Sequence, residues 1–442
     1  MPNTSSWRRS RGWGGSGTGW GSSFPTSRGF PNQSAGRRTE EARASTPSPT
    51  RGDLLIELKR EDVSQSKHNP KITDCSYVAS YNWLDQKAPA VVIPGKPPAW
   101  TPPATNRRLD PDRGHYYRDP NAAHYPAYPM EAAIRAVLKQ NPEFPAKDID
   151  IITCSSALGN LSRFARGVEK EFRIILASVG TTVFFVRRES SPTTLIPNVR
   201  GYGHTFPEEY TTWEKDVKNS VSHQRIIQYR FGGLHLLVRF EVDGYQRQED
   251  GTSNVPLEPN SLIDDASINS SFATLGTTSI GRTKPTGQGR IQIKEGGHPI
   301  SHQRIFDIKT RSAFDFQTRT IKKEIDLTDL IPRLWVSQIP TLVVAYHDRG
   351  LFEDIRIQDM RKDVEKWERE NAENLGRLAS LLHELAEIAR SSRTGLEICR
   401  SESGPLEIRR LANDGVEALP SQLRDMWVRE PEVTKPGDAS DH

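Results

Sequence analysis

Two short acidic segments constrain this chain more than any other feature. Glu241-Val242-Asp243 closes the apolar run Leu234-His235-Leu236-Leu237-Val238-Arg239-Phe240, and Asp307-Ile308-Lys309 follows Arg304-Ile305-Phe306. Runs so rich in Val, Ile, Leu and Phe favour strands, and a near-continuous apolar strand is one with both faces covered. Residues two apart on a strand share a face. Glu241 is therefore expected beside Asp243 and Asp307 beside Lys309, which makes one patch of three carboxylates and an ammonium if the strands are neighbours. Crowded carboxylates need a cation. Oxygen donors suit Mg²⁺ or Mn²⁺, and a nearby lysine can position a water or neutralise a phosphate under attack. The pattern points to metal-dependent cleavage of phosphodiesters. Such triplets also arise by chance on solvated strand faces in a chain with 26% charged residues; the apolar lead-in is what sets these two apart.

The remaining pattern predicts a folded body with irregular margins. Residues 1–38 hold six arginines and no acid, with Trp7, Trp13, Trp20, Phe24 and Phe30 spread through Gly and Ser. A segment of that composition cannot bury enough surface to fold. It reads first as a disordered tail (1–52), then as a weak RNA contact through arginine and aromatic stacking, and third as a mitochondrial address. Order is expected from about Asp53 to 392 as a single domain, with a polar loop at 247–290 and a partly disordered C-terminal extension over 393–442. Within the domain, Ile72–Val78 reads as a strand, residues 97–103 as an extended loop, and Pro129 opens a helix to about Lys139. Phe172–Leu176 returns as Thr182–Val186 around Gly180, and Arg225–Tyr229 pairs with Leu234–Asp243 across Gly232-Gly233. A helix over about 326–335 leads to a buried strand, Thr341–Tyr346. Apolar residues from Ile357 through Met360, Val364, Trp367 and Leu375 to Ile388 hold a three-four spacing, predicting one amphipathic helix.

Cys75, Cys154 and Cys399 form no paired motif, so neither a disulfide framework nor a zinc site is indicated, and a reducing, intracellular setting is expected, nuclear or cytoplasmic. No apolar run reaches the length of a membrane span.

Helix, hairpin, strand, helix, strand, with acids on the second and third strands and a lysine two after the last acid, resembles the core of the PD-(D/E)xK nucleases. The fold class expected is α/β (α+β), a mixed central sheet with flanking helices. Within that superfamily, residues 72–390 resemble the DXO-type decapping exoribonucleases. Gly201-Tyr202-Gly203-His204-Thr205-Phe206-Pro207-Glu208 is similar to the family's Gly-Tyr-x-Phe-Glu element, Glu241-Val242-Asp243 to its Glu-Val-Asp, and Asp307-Ile308-Lys309-Thr310 to its Glu-Leu-Lys-Thr. The resemblance implies that Glu208, Glu241, Asp243 and Asp307 hold Mg²⁺ or Mn²⁺, with Glu209 the alternative to Glu208. It makes Asp243, Asp307 and Lys309 the catalytic set, and Arg163, Arg166, Arg239 and Arg311 the candidate RNA contacts. RNA 5′ ends would be the substrate and a 5′-3′ exonuclease a possible partner.

Two positions depart from the family pattern. Ser155-Ser156-Ala157-Leu158-Gly159 stands where the family has Arg-Gly, and Ser337 falls at the distance from Trp335 where it has a metal-site Gln, with Gln338 one later. The sequence thus leaves open an active RNA 5′-end hydrolase and an inactive relative that binds RNA or serves as an exonuclease-partner scaffold. Prenyl diphosphate synthesis is disfavoured, because the single Asp-Asp pair, Asp264-Asp265, lies in the polar loop without a third Asp.

Overall fold

Both faces of the main sheet are apolar, and helices cover both. The structure, a computed structural model, describes residues 49–429 except 67–69, 114–115, 197–198, 200, 248–288, 316–319, 322–324 and 413–415. The arginine-rich N-terminal segment, Asp264-Asp265 and most of the 247–290 loop lie outside the described residues.

The chain opens with β1 (Leu54–Leu58), β2 (Ile72–Leu84), β3 (Ala90–Gly95) and the short β4 (Ala99–Trp100), then α1 (Pro120–His124) and α2 (Glu131–Gln140). Next come β5 (Ile151–Cys154), α3 (Ser155–Ala165), the hairpin β6 (Phe172–Val179) and β7 (Thr182–Arg188), α4 (Thr205–Tyr210) and β8 (Thr211–Thr212). A second hairpin, β9 (Ser220–Phe231) and β10 (Leu234–Glu241), runs into β11 (Gly244–Tyr245). Beyond the loop lie β12 (Gln292–Gly297), β13 (Ile305–Ser312), the small pair β14 (Phe314–Asp315) and β15 (Thr320–Ile321), α5 (Ile331–Ser337), β16 (Thr341–Asp348) and β17 (Leu351–Asp359). The chain closes with α6 (Arg361–Glu370), α7 (Ala372–Ser391), β18 (Leu396–Arg400), β19 (Leu406–Arg410) and α8 (Ser421–Val428). Among the described residues no helix is long and apolar enough to cross a membrane.

An eleven-stranded mixed sheet runs β1-β19-β18-β6-β7-β5-β10-β9-β2-β3-β12. Alternation sorts its side chains: Ile151, Ile174 and Leu236 pack with α3, α5 and α7, whereas Ile152, Ile175 and Leu237 pack with α2 and α8 on the other face. A six-stranded sheet, β17-β16-β13-β11-β4-β8, meets it where β10 gives way to β11. The fold class read from the sequence is the one observed, and both hairpins form around their expected glycines. At Gly232 the requirement is double: its φ is +57°, and a Cβ there would stand 2.4 Å from Ala379 of α7.

Two readings need correction. Ile357, counted into a long helix, belongs to the edge strand β17, and the helical stretch after it breaks at Asn371 into α6 and α7. Residues past 392 are not merely an extension, since β18 and β19 lie inside the main sheet. What holds β18 there is charge as well as apolar surface. Glu397, fully buried, accepts from Arg173 Nε at 2.6 Å and Nη2 at 2.8 Å, with Arg188 Nη1 at 3.4 Å. Removing the acid would strand buried guanidinium charge without a counterion. Glu397→Ala should lower the unfolding free energy by about 3–5 kcal/mol in urea melts; a decrease under about 1 kcal/mol, as for an exposed pair, would contradict this role.

Candidate active site

The two acidic segments meet at the junction of the sheets. Glu241 ends β10, and the strand breaks there: the Val242 amide still donates to His223 O at 3.1 Å, but Asp243 turns its carboxylate toward the second sheet, where Oδ2 accepts from the Ile308 amide at 2.7 Å. Glu241 is the last residue of β10 and Asp243 lies in the break before β11, so the pair spans the junction of the two sheets. Asp307, on β13, is 1% exposed, and Lys309 follows on the same face of that strand.

A residue outside the sequence-derived set stands among these carboxylates. Arg333 of α5 donates through Nη2 to Asp307 Oδ1 at 3.1 Å, and its charge also acts on Asp243 and Glu241. Asp307 Oδ2 is buried with no hydrogen-bond partner. Burial pushes the Asp243 carboxyl well above the usual carboxylate range, and the adjacent Asp307 charge adds to it. Burial acts the same way on Asp307, but the Arg333 and Lys309 charges outweigh it and hold that carboxyl at about 2. Glu241 is likewise raised by burial, against the pull of Arg333 and Arg239. Among the described residues no group of three or more His, Cys, Asp or Glu side chains is arranged to hold a metal ion. Arg333 occupies the middle of the set that would have formed one.

Arg333 and Glu241 also border a cavity of about 290 Å³. Six arginines line it: Arg118, Arg163, Arg166, Arg187, Arg239 and Arg333. Ser155 and Ser156, the first turn of the eleven-residue α3, open into it as well, and a helix start presents unpaired amides to an anion. Arg239 donates to Gln224 at 2.7 Å, while its Nε and that of Arg166 are buried without a partner. Arg166 packs over Trp367, Cζ to ring centroid 5.7 Å, and burial followed by the Arg163 charge lowers its pKa. The opposite wall is fixed by Asn121 of α1, whose Oδ1 accepts from Tyr81 at 2.7 Å and from Trp83 at 2.9 Å.

Of the candidate RNA contacts, Arg163, Arg166 and Arg239 lie in the cavity, whereas Arg311 is exposed near the end of β13 and does not line it. Glu208 is exposed on α4; partial desolvation raises its carboxyl and His204 pulls it back, and the His204 charge acts on Glu241 too. Glu209 pairs with the exposed Arg107 instead. The turn carrying Glu208 is clamped by Asp112, which accepts from the Thr205 amide at 2.9 Å and the His204 amide at 3.2 Å and faces His204 Nδ1 at 3.3 Å. Sequence reasoning missed Arg333, Arg118 and Arg187. A single arginine in a chain with 60 Lys and Arg carries no signal of its own.

A family model matches residues 55–426 of the 442. The chain belongs to the family described as Domain of unknown function (DUF8563). No curated protein sequence matches this DUF8563 chain. Among solved structures it is similar to Scheffersomyces stipitis Rai1 in complex with (3′-NADP)⁺ and calcium ion, at 11% identity and a TM-score of 0.53, covering 86% of this chain and 99% of that one. It is similar also to Candida albicans Rai1 in complex with pU5-Mn²⁺, at 9% identity and a TM-score of 0.53, covering 85% and 99%. The fold of this DUF8563 member is thus of DXO/Rai1 type. A hard divalent cation fits the residues present at one point: Asp307 Oδ2, buried with no N–H or hydroxyl donor on it, stands against the Asp243 carboxyl, and once that carboxyl gives up its proton the two carboxylates are a usual protein share for Mg²⁺.

The Asp112 clamp generates a pH-dependent expectation. Burial alone would raise that carboxyl, but its bonds to His204 and the Thr205 amide bring it below the usual carboxylate range. Its contribution is complete above the unfolded value near about 3.9 and is lost as pH falls through the folded one. At neutral pH, Asp112→Ala should speed hydrogen exchange of the Thr205 and His204 amides and cost about 1 kcal/mol. Unchanged exchange would mean that the turn carrying Glu208 is held by something else.

Proposed function

We propose that this chain binds phosphorylated RNA 5′ ends in the arginine-lined cavity and hydrolyses a phosphate bond where the cavity meets the carboxylates. The observation that carries the reading is the contiguity of the two chemistries: Arg333 and Glu241 line the cavity, and Asp307 and Asp243 stand directly against Arg333. The fold shared with Rai1 structures supports it, as does the pU5-Mn²⁺ recorded with the Candida albicans protein.

The cavity's own residues take the phosphates. Arg166 and Arg239 offer buried N–H groups that nothing else uses, and the α3 start adds backbone donors from Ser155 and Ser156. Arg163 and Arg118 extend the positive wall. Asp243 and Asp307 would hold Mg²⁺ or Mn²⁺, which when bound supplies an acidified water and charge stabilisation at the phosphorus. Lys309, beside both aspartates, orients that water and offsets charge on the scissile phosphate. Glu241, facing the cavity, accepts a proton or a ribose hydroxyl from the bound end.

One observation favours a second reading, RNA binding without cleavage: Arg333 already compensates Asp307. Full-length protein incubated with Mn²⁺ or Mg²⁺ and RNA bearing a 5′ monophosphate, triphosphate or incomplete cap separates the two. Hydrolysis predicts shortened RNA or a released end group, abolished by EDTA. Asp307→Asn and Lys309→Ala should each cut turnover by about 10²–10³-fold while RNA affinity stays near that of wild type. Tight binding with no turnover on any of the three ends establishes the second reading. Neither binding nor cleavage sinks both.

The cavity makes its own prediction. Replacing Arg166 and Arg239 together by Gln should weaken RNA binding and flatten the plot of log affinity against log salt, by about 0.7 for each single-strand phosphate that no longer meets a guanidinium. An unchanged slope would place the RNA elsewhere on the surface.

A further inference from the structure

Arg333 has the setting of a bound cation. Its guanidinium reaches Asp307 at 3.1 Å, lies within electrostatic range of Asp243 and Glu241, and keeps 46% of its side-chain surface accessible because the cavity borders it. A structural arginine would be enclosed and saturated with acceptors, as Arg173 is by Glu397. Arg333 is instead aimed from a rigid base. Trp335, two residues on and 1% exposed, donates its indole N–H to Glu368 at 2.9 Å, and Leu334 is fully buried, so α5 cannot roll to withdraw the arginine.

Counting charge shows what the arginine does. With all three carboxyls ionised, the form a metal ion requires, Glu241, Asp243 and Asp307 carry three negative charges, which Arg333 and Lys309 reduce to one; without Arg333 the cluster would be left with two. One oxygen of the set, Asp307 Oδ2, is buried and still unpartnered.

We propose that Arg333 is a tethered cation that takes, in the Glu241–Asp243–Asp307 cluster, a place a divalent ion would otherwise fill. The chain then holds one metal ion, and the guanidinium supplies the second positive centre at the end of the cavity where a phosphate arrives. This rests on reading the carboxylates as a cation site and not on which RNA end is bound. An arginine in this place makes the second cation permanent, insensitive to metal concentration, and forked to match phosphate oxygens.

The test is Mn²⁺ binding to the full chain without RNA, followed by the electron paramagnetic resonance signal of free Mn²⁺ and by calorimetry. Arg333→Gln should bind one more Mn²⁺ per chain than wild type, or bind it at least tenfold more tightly. Arg333→Lys, which keeps the charge, should stay close to wild type. If Arg333→Gln does not fold in EDTA, refolding in Mn²⁺ should restore its near-ultraviolet circular dichroism, because the ion replaces the missing charge. Equal number and affinity in wild type and Arg333→Gln, weaker binding in the variant, or failure of Mn²⁺ to restore its fold overturns the proposal. The readout is independent of hydrolysis, so a protein inert on RNA can still pass this test, and an active one can fail it.

Discussion

One carboxylate joins the two sheets. β11 pairs with β13 for only two residues, Gly244 opposite Phe306 and Tyr245 opposite Ile305, so the ladder stops before Ile308. A buried amide left at the end of a ladder must find an acceptor, and Asp243 Oδ2 supplies it at 2.7 Å. The neighbouring Gly244 permits the approach, since a Cβ there would stand 2.4 Å from the Phe306 ring. Asp243 is therefore fixed by the fold before any chemistry is asked of it. Everything at the site is referred to that junction: Glu241 is the last residue of one sheet, Asp307 lies one position from the amide that Asp243 holds, and α5 enters against both.

The parts of this arrangement legible in the sequence are those that local pattern decides. Hairpins announce themselves by apolar runs around glycines, and the acids by their place at the end of such a run. The misreadings have physical causes. β17 is an edge strand, half-exposed along most of its length, so Phe352-Glu353-Asp354-Ile355-Arg356-Ile357 lacks the apolar density of a buried strand, and Ile357 falls by coincidence into the period of the helix after it. β18 is hidden because Glu397 reads as a surface residue; its buried partner Arg173 is 224 residues away in the chain. Arg333 meets Asp307 across 26 residues, from a helix whose sequence signal is the Trp and Leu that pack it. Contacts of that kind belong to tertiary structure, and no local period encodes them.

Polar burial is concentrated where the two sheets and α3 converge, and it is uneven. At Glu397 the charges are matched within 3.4 Å by two arginines from the adjacent hairpin, and the arrangement is closed. Of the six arginines in the cavity, Arg187 is met by Glu189 and Arg333 by Asp307; Asp119 and Glu241 act on Arg239, and the Nε atoms of Arg166 and Arg239 are left without acceptors. The pKa of Arg166 is lowered first by burial and then by the Arg163 charge, with Asp329 opposing both.

An excess of positive charge kept in a cavity of about 290 Å³ selects its ligand by both sign and size. The sign calls for several negative charges on one molecule, because two orphaned donors, a helix start and the Arg118 and Arg163 guanidinia cannot all be met by one carboxylate. The size is at the lower bound of small-molecule sites, enough for a terminal nucleotide and its phosphates but not for the width of a duplex. Glu241 and Arg333 both line that space and carry opposite formal charge. The same residue that neutralises Asp307 thus also borders the cavity, and it stands between the two chemistries of the site.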